Sequence, residues 1–288
     1  MNNILEVQNL TRHFPKSDFC LENISFSIPY GSIVGFVGEN GAGKTTTISC
    51  ILNTLSKDGG TIKLFGKEMT DSDVSLREDI GVVFDAGNFS GSLSARRLSK
   101  IMQGVYARWD DFVYTDYLSR FRLPPDQKIK TYSKGMTMKL AIAAALSHSP
   151  KLLILDEATS GLDPVVRDEM LDVFLDFVQD ESHSIFLSSH ITSDLEKVAD
   201  YIAFIHSGKI ILTAKKDDLI YKYGVMRCKA SGFDAIDQKD ILAYRKRDYQ
   251  IDALVADRKA AQFKYKNIVT DQVSIDEIML LLIKGERV

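Results

Sequence analysis

The sequence predicts an α/β protein: a parallel sheet covered by helices, with an antiparallel β subdomain, a helical insertion and a small C-terminal α+β domain. Three observations carry this expectation. The run Ile33-Val34-Gly35-Phe36-Val37 is continuously apolar, as in a strand buried on both faces, and leads through a glycine-rich turn into a helix at about 45–55. Apolar, strand-like segments at 152–155, 184–187 and 201–205 alternate with helical patterns at about 164–179 and 192–198. The intervening stretch, about 86–149, reads almost entirely helical, with Pro124-Pro125 breaking it in the middle.

Taken in order, the first residues alternate apolar and polar side chains through Leu5-Glu6-Val7-Gln8-Asn9-Leu10 and again over 21–28. Pro15 and Pro29-Tyr30-Gly31 bound these runs, which predicts short antiparallel strands. Asp58-Gly59-Gly60 reads as the turn closing the first strand–turn–helix unit, and 80–84 as the next parallel strand. Beyond 210–212 the order loosens. Tyr223-Gly224 opens about 65 residues in which strands are expected at 225–229 and 250–255 and helices at 257–264 and 275–283. The expected division is a larger α/β domain over 1–214 and a small accessory domain over 215–288. Within the latter, Arg245-Lys246-Arg247 has acids on both sides and reads as a solvated face.

The 288 residues are 45% hydrophobic, enough to bury a sizeable core. With 36 Lys+Arg against 39 Asp+Glu the formal net charge is −3, so there is no basic excess and no nucleic acid is expected as partner. No run approaches the ~18 apolar residues of a membrane span, and the polar start lacks a basic region followed by an apolar one. A cytoplasmic protein, soluble or peripheral on a membrane, is therefore expected. Cys20, Cys50 and Cys228 are widely spaced, with no CxxC pair or clustered His, so they read as reduced thiols.

Gly38-Glu39-Asn40-Gly41-Ala42-Gly43-Lys44-Thr45 fits G-x-x-x-x-G-K-S/T and sits after a buried strand and before a helix, which identifies a P-loop NTPase core. In such a loop the glycines let successive backbone N–H groups point into one concavity, and the following helix adds its positive N-terminal end. Lys44 is expected to reach the β- and γ-phosphates of ATP and Thr45 to ligate Mg²⁺, with Thr46 completing the nucleotide-binding set. Leu152-Leu153-Ile154-Leu155-Asp156-Glu157 is an apolar strand ending in two carboxylates, delivered to the sheet edge beside that loop. Asp156 is then the expected metal residue, and Glu157 the group that polarises the attacking water.

With these motifs on hand, the sequence resembles the ATP-binding subunits of ABC transporters over roughly residues 2–212. Tyr132-Ser133-Lys134-Gly135-Met136 is similar to the family signature, usually LSGGQ, and a Ser with a Gly at a helix N-terminus is an anion site. The resemblance implies that Ser133, Lys134, Gly135 and Met136 contact ATP held on the opposite subunit. It also implies that Ser160-Gly161-Leu162-Asp163 is a D-loop across the dimer seam and His190 a switch histidine at the γ-phosphate. Phe14, in Leu10-Thr11-Arg12-His13-Phe14, falls where the family places the aromatic that stacks on adenine, with a core Phe as the rival reading.

Two segments depart from the family pattern. Asp85 stands where the family has Gln after the strand 80–84, and it is expected to act in catalysis or as a metal ligand. Lys134-Gly135-Met136 replaces Gly-Gly-Gln, which is expected to bring a cation near the γ-phosphate. These variants bring the chain close to the ATPases of bacterial peptide and antibiotic exporters, including the type that exports phenol-soluble modulins. The resemblance implies a homodimer, or a heterodimer with a second ABC ATPase, that sandwiches two ATPs. It further implies a separate integral-membrane permease on the inner face of the cell membrane, docked on the helical insertion. A soluble ABC ATPase acting on ribosomes or chromosomes is the alternative; neither a second phosphate loop nor sustained heptads occur in the chain.

Overall fold

The computed structural model describes residues 2–70, 73–85 and 88–286; the expected start of the helical insertion at Ala86 and the chain ends at Met1 and Val288 lie outside the described residues. Strands β1 (Asn3–His13) and β2 (Cys20–Pro29) pair antiparallel from Asn3↔Pro29 to His13↔Cys20, as their alternation predicts. Strand β3 (Ile33–Val37) is buried at all five positions and leads into helix α1 (Lys44–Ile51). That helix is shorter than the expected 45–55. Asn53 adopts φ +55°, and the Thr54 and Leu55 amides both turn back to the Ser49 carbonyl.

Asp58-Gly59-Gly60 does more than close a turn. Gly59 begins β4 (Gly59–Leu64), which pairs with β1 from Leu5↔Leu64 to Thr11↔Gly59, and β5 (Lys67–Glu68) completes an antiparallel sheet in the order β2-β1-β4-β5. Gly60 lies at φ +82°, where a Cβ would stand 2.4 Å from the Asn9 carbonyl oxygen, so the close crossing of β1 requires glycine.

A short helix α2 (Val74–Glu78) precedes β6 (Ile80–Phe84), which ends where the Asn88 side chain bonds both the Phe84 N–H and its carbonyl, at 3.0 and 2.7 Å. The helical insertion is three helices rather than a nearly continuous run: α3 (Ala95–Val105), α4 (Asp111–Arg120) and α5 (Lys134–Leu146). Ser94, Asp110 and Ser133 cap them. Residues 88–94 have no helix, and 121–133 hold only a single 3₁₀ turn, because Arg122 turns to φ +54° just before Pro124-Pro125.

The chain then alternates as expected: β7 (Leu152–Asp156), α6 (Pro164–Phe177), β8 (Ser184–Ser189), α7 (Thr192–Val198), β9 (Tyr201–His206) and β10 (Lys209–Lys215). These strands build a six-stranded sheet in the order β10-β9-β3-β8-β7-β6, parallel except at β10. Phe26 of the antiparallel sheet meets Phe36 and Phe186 of the parallel sheet with ring centroids 5.1–5.4 Å apart, and the three rings bind the two sheets together.

Helix α8 (Lys216–Tyr221) leads to a third sheet formed by β11 (Gly224–Cys228), β12 (Ala243–Lys246), β13 (Ile251–Val255) and β14 (Val269–Gln272), in the order β12-β13-β11-β14. Helices α9 (Ala230–Phe233), α10 (Arg258–Lys264) and α11 (Ile275–Lys284) accompany it. One face buries Met226, Ile236 and Val255 in a small cluster of their own, while Val225, Leu254, Ile278 and Leu281 are continuous with the main core. Glu196 of α7 accepts the Ile275 N–H at 2.9 Å, so the last helix is seated on the helix that follows His190. The basic triplet lies on β12 and just beyond it, with Arg247 Nε 3.0 Å from an Asp252 carboxylate oxygen.

His148 joins the insertion to the parallel sheet. It is 1% exposed, stacks on Tyr106 at 4.0 Å between centroids, and its Nδ1–H donates to the Glu78 carbonyl at 3.2 Å. Burial is the larger influence on this imidazole and holds its pKa below the usual 6.5, against the opposing pull of the Glu78 carbonyl. A depressed folded-state pKa means that the unfolded chain binds the proton first. Its stabilisation is present above about pH 6.5 and is lost as pH falls through the folded value. We expect His148→Phe, which keeps the ring stack, to cost about 1 kcal/mol at pH 7.5 through the lost hydrogen bond. Its urea midpoint should also fall less than the parent's between pH 7.5 and pH 5; parallel pH profiles would refute this.

Candidate active site

The C-terminal edges of β3, β7 and β8 converge on the loop 38–43 that joins β3 to α1. Gly38 approaches β9 so closely that a Cβ would lie 2.4 Å from the Ile205 carbonyl oxygen, and Gly43 caps α1 at φ +113°. No side chain caps the helix and no acid occupies its first turn, which leaves the first amides and the positive end of α1 facing the loop. Lys44 is 6% exposed, and its ammonium donates to the Gly38 and Glu39 carbonyls at 2.7 and 3.1 Å. Asn40, Gly41, Gly43, Lys44, Thr45, Thr46, Phe19 and Glu157 line an open cleft of about 450 Å³. A larger cleft of about 650 Å³ around Tyr30 and Asp200 contains none of the loop residues. Chemistry, rather than size, decides between the two.

Asp156 ends β7 with its Cα paired to Phe84 on one side and Ser188 on the other. Its buried carboxylate accepts from Thr45 Oγ1 at 2.7 Å and from Ser188 Oγ at 2.6 Å. A hydroxyl and a carboxylate in contact beside a phosphate loop are the hard oxygen donors that suit Mg²⁺, an ion that takes few protein ligands and fills its shell with phosphate oxygens and water. The residues therefore fit that metal.

Glu157 follows at φ +54°, an uncommon conformation for a non-glycine residue and one that recurs at functional sites. Its amide donates to the Ser188 carbonyl at 3.0 Å. Its side chain, 15% exposed, spans two partners: Oε2 accepts from His190 Nδ1 at 2.6 Å, and Oε1 lies 3.1 Å from Lys44 Nζ. The Lys44 contact is an ion pair without hydrogen-bond alignment, so Oε1 has no well-directed donor. Lys44, Glu157 and His190, drawn from three segments of sequence, thus form one connected set.

Phe14 and Phe19 lie 6.1 Å apart at the mouth, where with Pro15, Lys16, Ser17 and Thr46 they line an apolar recess of about 520 Å³. Phe14 is half-buried, with the Arg12 guanidinium 5.4 Å from its ring centroid. The loop is thereby joined to a recess of aromatic character, in which Phe14 is one wall. Sequence reasoning missed Phe19 and Ser188. The signal for Phe19 was its position just before the strand that runs beside the loop, and for Ser188 its place on the strand that carries His190. Ala42 is buried and Glu39 faces His206, its Oε1 3.0 Å from Nδ1.

The remaining expected residues lie to one side of this set. Ser133 is exposed and accepts the Met136 N–H at 3.2 Å as the cap of α5, with Lys134 and Gly135 in its first turn. Gly161 turns at φ +67°, Leu162 is buried, and the Ser160 amide donates to the Glu157 carbonyl at 3.0 Å. Asp163 caps α6 by accepting from Val165 and Val166 ahead of Pro164. Asp85 follows the register partner of Asp156, yet its carboxylate engages Lys134 at 2.7 Å. In this structure the Lys134 cation is therefore paired within its own chain. Cys50 is buried on α1, where desolvation pushes its thiol pKa up, as suits an unreactive core thiol.

A protein-family profile described as ABC transporter matches residues 21–160. The lantibiotic transport ATP-binding protein SrtF of Streptococcus pyogenes is 36% identical over 216 residues, covering 74% of this chain and 92% of its own. The bacitracin transport ATP-binding protein BcrA of Bacillus licheniformis is 33% identical over 213 residues, 73% of this chain and 69% of its own. Among solved structures, cbiO1 from Clostridium perfringens, part of the ABC transporter complex cbiONQ, superposes with a TM-score of 0.66 at 26% identity, covering 76% of this chain and 91% of its own.

Proposed function

This chain belongs to the family of ABC transporter ATP-binding proteins, which are ATPases, and from that premise we propose that it is the motor subunit of an exporter for peptides, antibiotics or related amphipathic compounds. The convergence of Lys44 and His190 on Glu157, behind a phosphate loop whose Thr45 touches Asp156, carries the reading. Residues 1–214 form its ATPase unit and 215–288 an accessory unit seated on α7. Two relatives named for bacitracin and lantibiotic transport support the cargo class.

In the free subunit the ammonium of Lys44 is held by two carbonyls and Glu157. ATP phosphates offer it a stronger partner, which frees Glu157 Oε1 to accept a proton from water while Oε2 stays on His190. Mg²⁺ held by Thr45 and Asp156 supplies charge neutralisation at the phosphate oxygens. Phe14 and Phe19 offer the adenine ring an apolar wall. The Ser133 end of α5 and the 160–163 loop face the ATP of a second subunit, so dimerisation completes each site. A separate membrane permease on the cytoplasmic face docks on the helical insertion, where Phe112 is 82% exposed and Ile101 and Val105 are also uncovered. Among the described residues no helix is long and apolar enough to cross a membrane.

The test is to express Glu157→Gln in the native cell, solubilise membranes and identify by mass spectrometry what copurifies. A stoichiometric multi-span protein is expected. Recovery only from the soluble fraction, together with ribosomal or chromosomal proteins, would overturn the transporter reading.

A further inference from the structure

Lys134 opens α5 immediately after Ser133, and Asp85 is the first residue beyond β6. Their charged atoms meet at 2.7 Å, with the side chains 46% and 47% exposed. Gly161 lies against the lysine side chain. A Cβ there would lie 3.1 Å from Lys134 Nζ and 3.6 Å from its Cδ and Cε, so the lysine stem crosses bare backbone on its way to Asp85. Gly161 also has φ +67°, so the crossing point is one that a side chain would both strain and obstruct. One ion pair thus joins the α5 start to the residue after β6, with the 160–163 loop packed against its lysine.

We propose that Asp85 and Lys134 act as a single positioning unit, clasping the start of α5 to the end of β6 across Gly161. Asp85 and Lys134, two of the positions at which the sequence departs from its family, are on this view one feature. A Gln in place of Asp85 has no charge to offer a lysine, and a Gly in place of Lys134 has no side chain at all. Each charge cancels the other, so neither stands alone beside Asp156 and Glu157. A half-exposed pair contributes little to global stability, so its consequence lies in orientation: Ser133 and Gly161 are held in fixed relation to the strand edge.

The clasp itself needs no nucleotide to be tested; only its effect on assembly rests on the ATP-dimer reading above. In the nucleotide-free subunit, Asp85→Asn and Lys134→Met should each raise amide hydrogen exchange at 133–137 and 159–162 by about threefold or more, with the remaining core protected as before. Unchanged exchange in both variants would overturn the clasp. In a Glu157→Gln background, ATP-driven dimerisation should weaken about threefold to tenfold in each single variant, and the Asp85→Asn/Lys134→Met pair should be no weaker than the worse single. Losses that multiply in the double variant would show two independent roles and refute the unit. Should the parent background fail to dimerise with ATP, the dimer reading falls, while the exchange result still decides the clasp.

Discussion

Glu157→Gln is expected to bind ATP at least as tightly as the parent and to turn it over about 10² to 10⁴ times more slowly. The carboxylate is the acceptor set between Lys44 and His190, and a carboxamide of the same shape cannot take a proton from water. Its oxygen still accepts from His190 Nδ1, so the loop geometry survives. Its amide presents no charge to Lys44, which leaves the ammonium freer for phosphate, and the cleft loses one negative charge close to the proposed phosphate site. Phosphate release under saturating ATP and Mg²⁺, beside equilibrium titration with a fluorescent ATP analogue, separates the two effects. Turnover within threefold of the parent would remove Glu157 from the chemistry; lost binding with a folded protein would assign it to the nucleotide pocket instead.

The sheet was most legible where most of a strand is buried. Residues 33–37 and 80–84 became strands with the expected bounds, because an apolar run with β-branched residues and glycine punctuation has few other uses. Helix 192–198 was recovered equally well. What escaped were elements whose warrant lies elsewhere in the chain. Only Ile62 and Leu64 of β4 are buried, and the strand exists because β1, far away in sequence, offers it a partner from Leu5↔Leu64 to Thr11↔Gly59. β12 and β14 are four-residue edge strands of the third sheet with the same weakness. In the helical insertion, Phe121, Leu123 and Ile129 are buried without helical spacing, because the turn at Arg122 and the two prolines present them from a loop.

For the site, local pattern and long-range geometry divide in the same way. The phosphate loop and the Asp156-Glu157 pair are contiguous in sequence, and the backbone chemistry that explains them is local. The contacts that turn them into a set are not local: Thr45 with Asp156, Lys44 and His190 with Glu157, Ser188 with Asp156. Strand order brings these together, since β7 and β8 lie side by side with β8 next to β3. The Asp85–Lys134 contact is the sharpest instance. Each residue drew notice separately as a departure from a motif, and nothing along the chain says that the two cancel.

Lys44→Met is expected to weaken ATP binding about tenfold to a hundredfold, the measure of a charge-assisted contact to phosphate, and to destabilise the nucleotide-free protein as well. The second effect follows from what Lys44 holds at rest. Removing the ammonium strips a donor from the Gly38 and Glu39 carbonyls and leaves Glu157 Oε1, a buried atom with no directed donor, without its compensating charge. Breaking a buried pair from one side costs about 3–5 kcal/mol; because Glu157 is 15% exposed and keeps His190, about 2–3 kcal/mol is expected here. Lys44→Met/Glu157→Gln removes the stranded charge and should regain most of that stability, as read by urea denaturation, without regaining ATP affinity. Stability and binding would then separate at one lysine. If the single variant is as stable as the parent, the resting Lys44–Glu157 contact carries no energy, and the idea that phosphates draw Lys44 off Glu157 loses its basis.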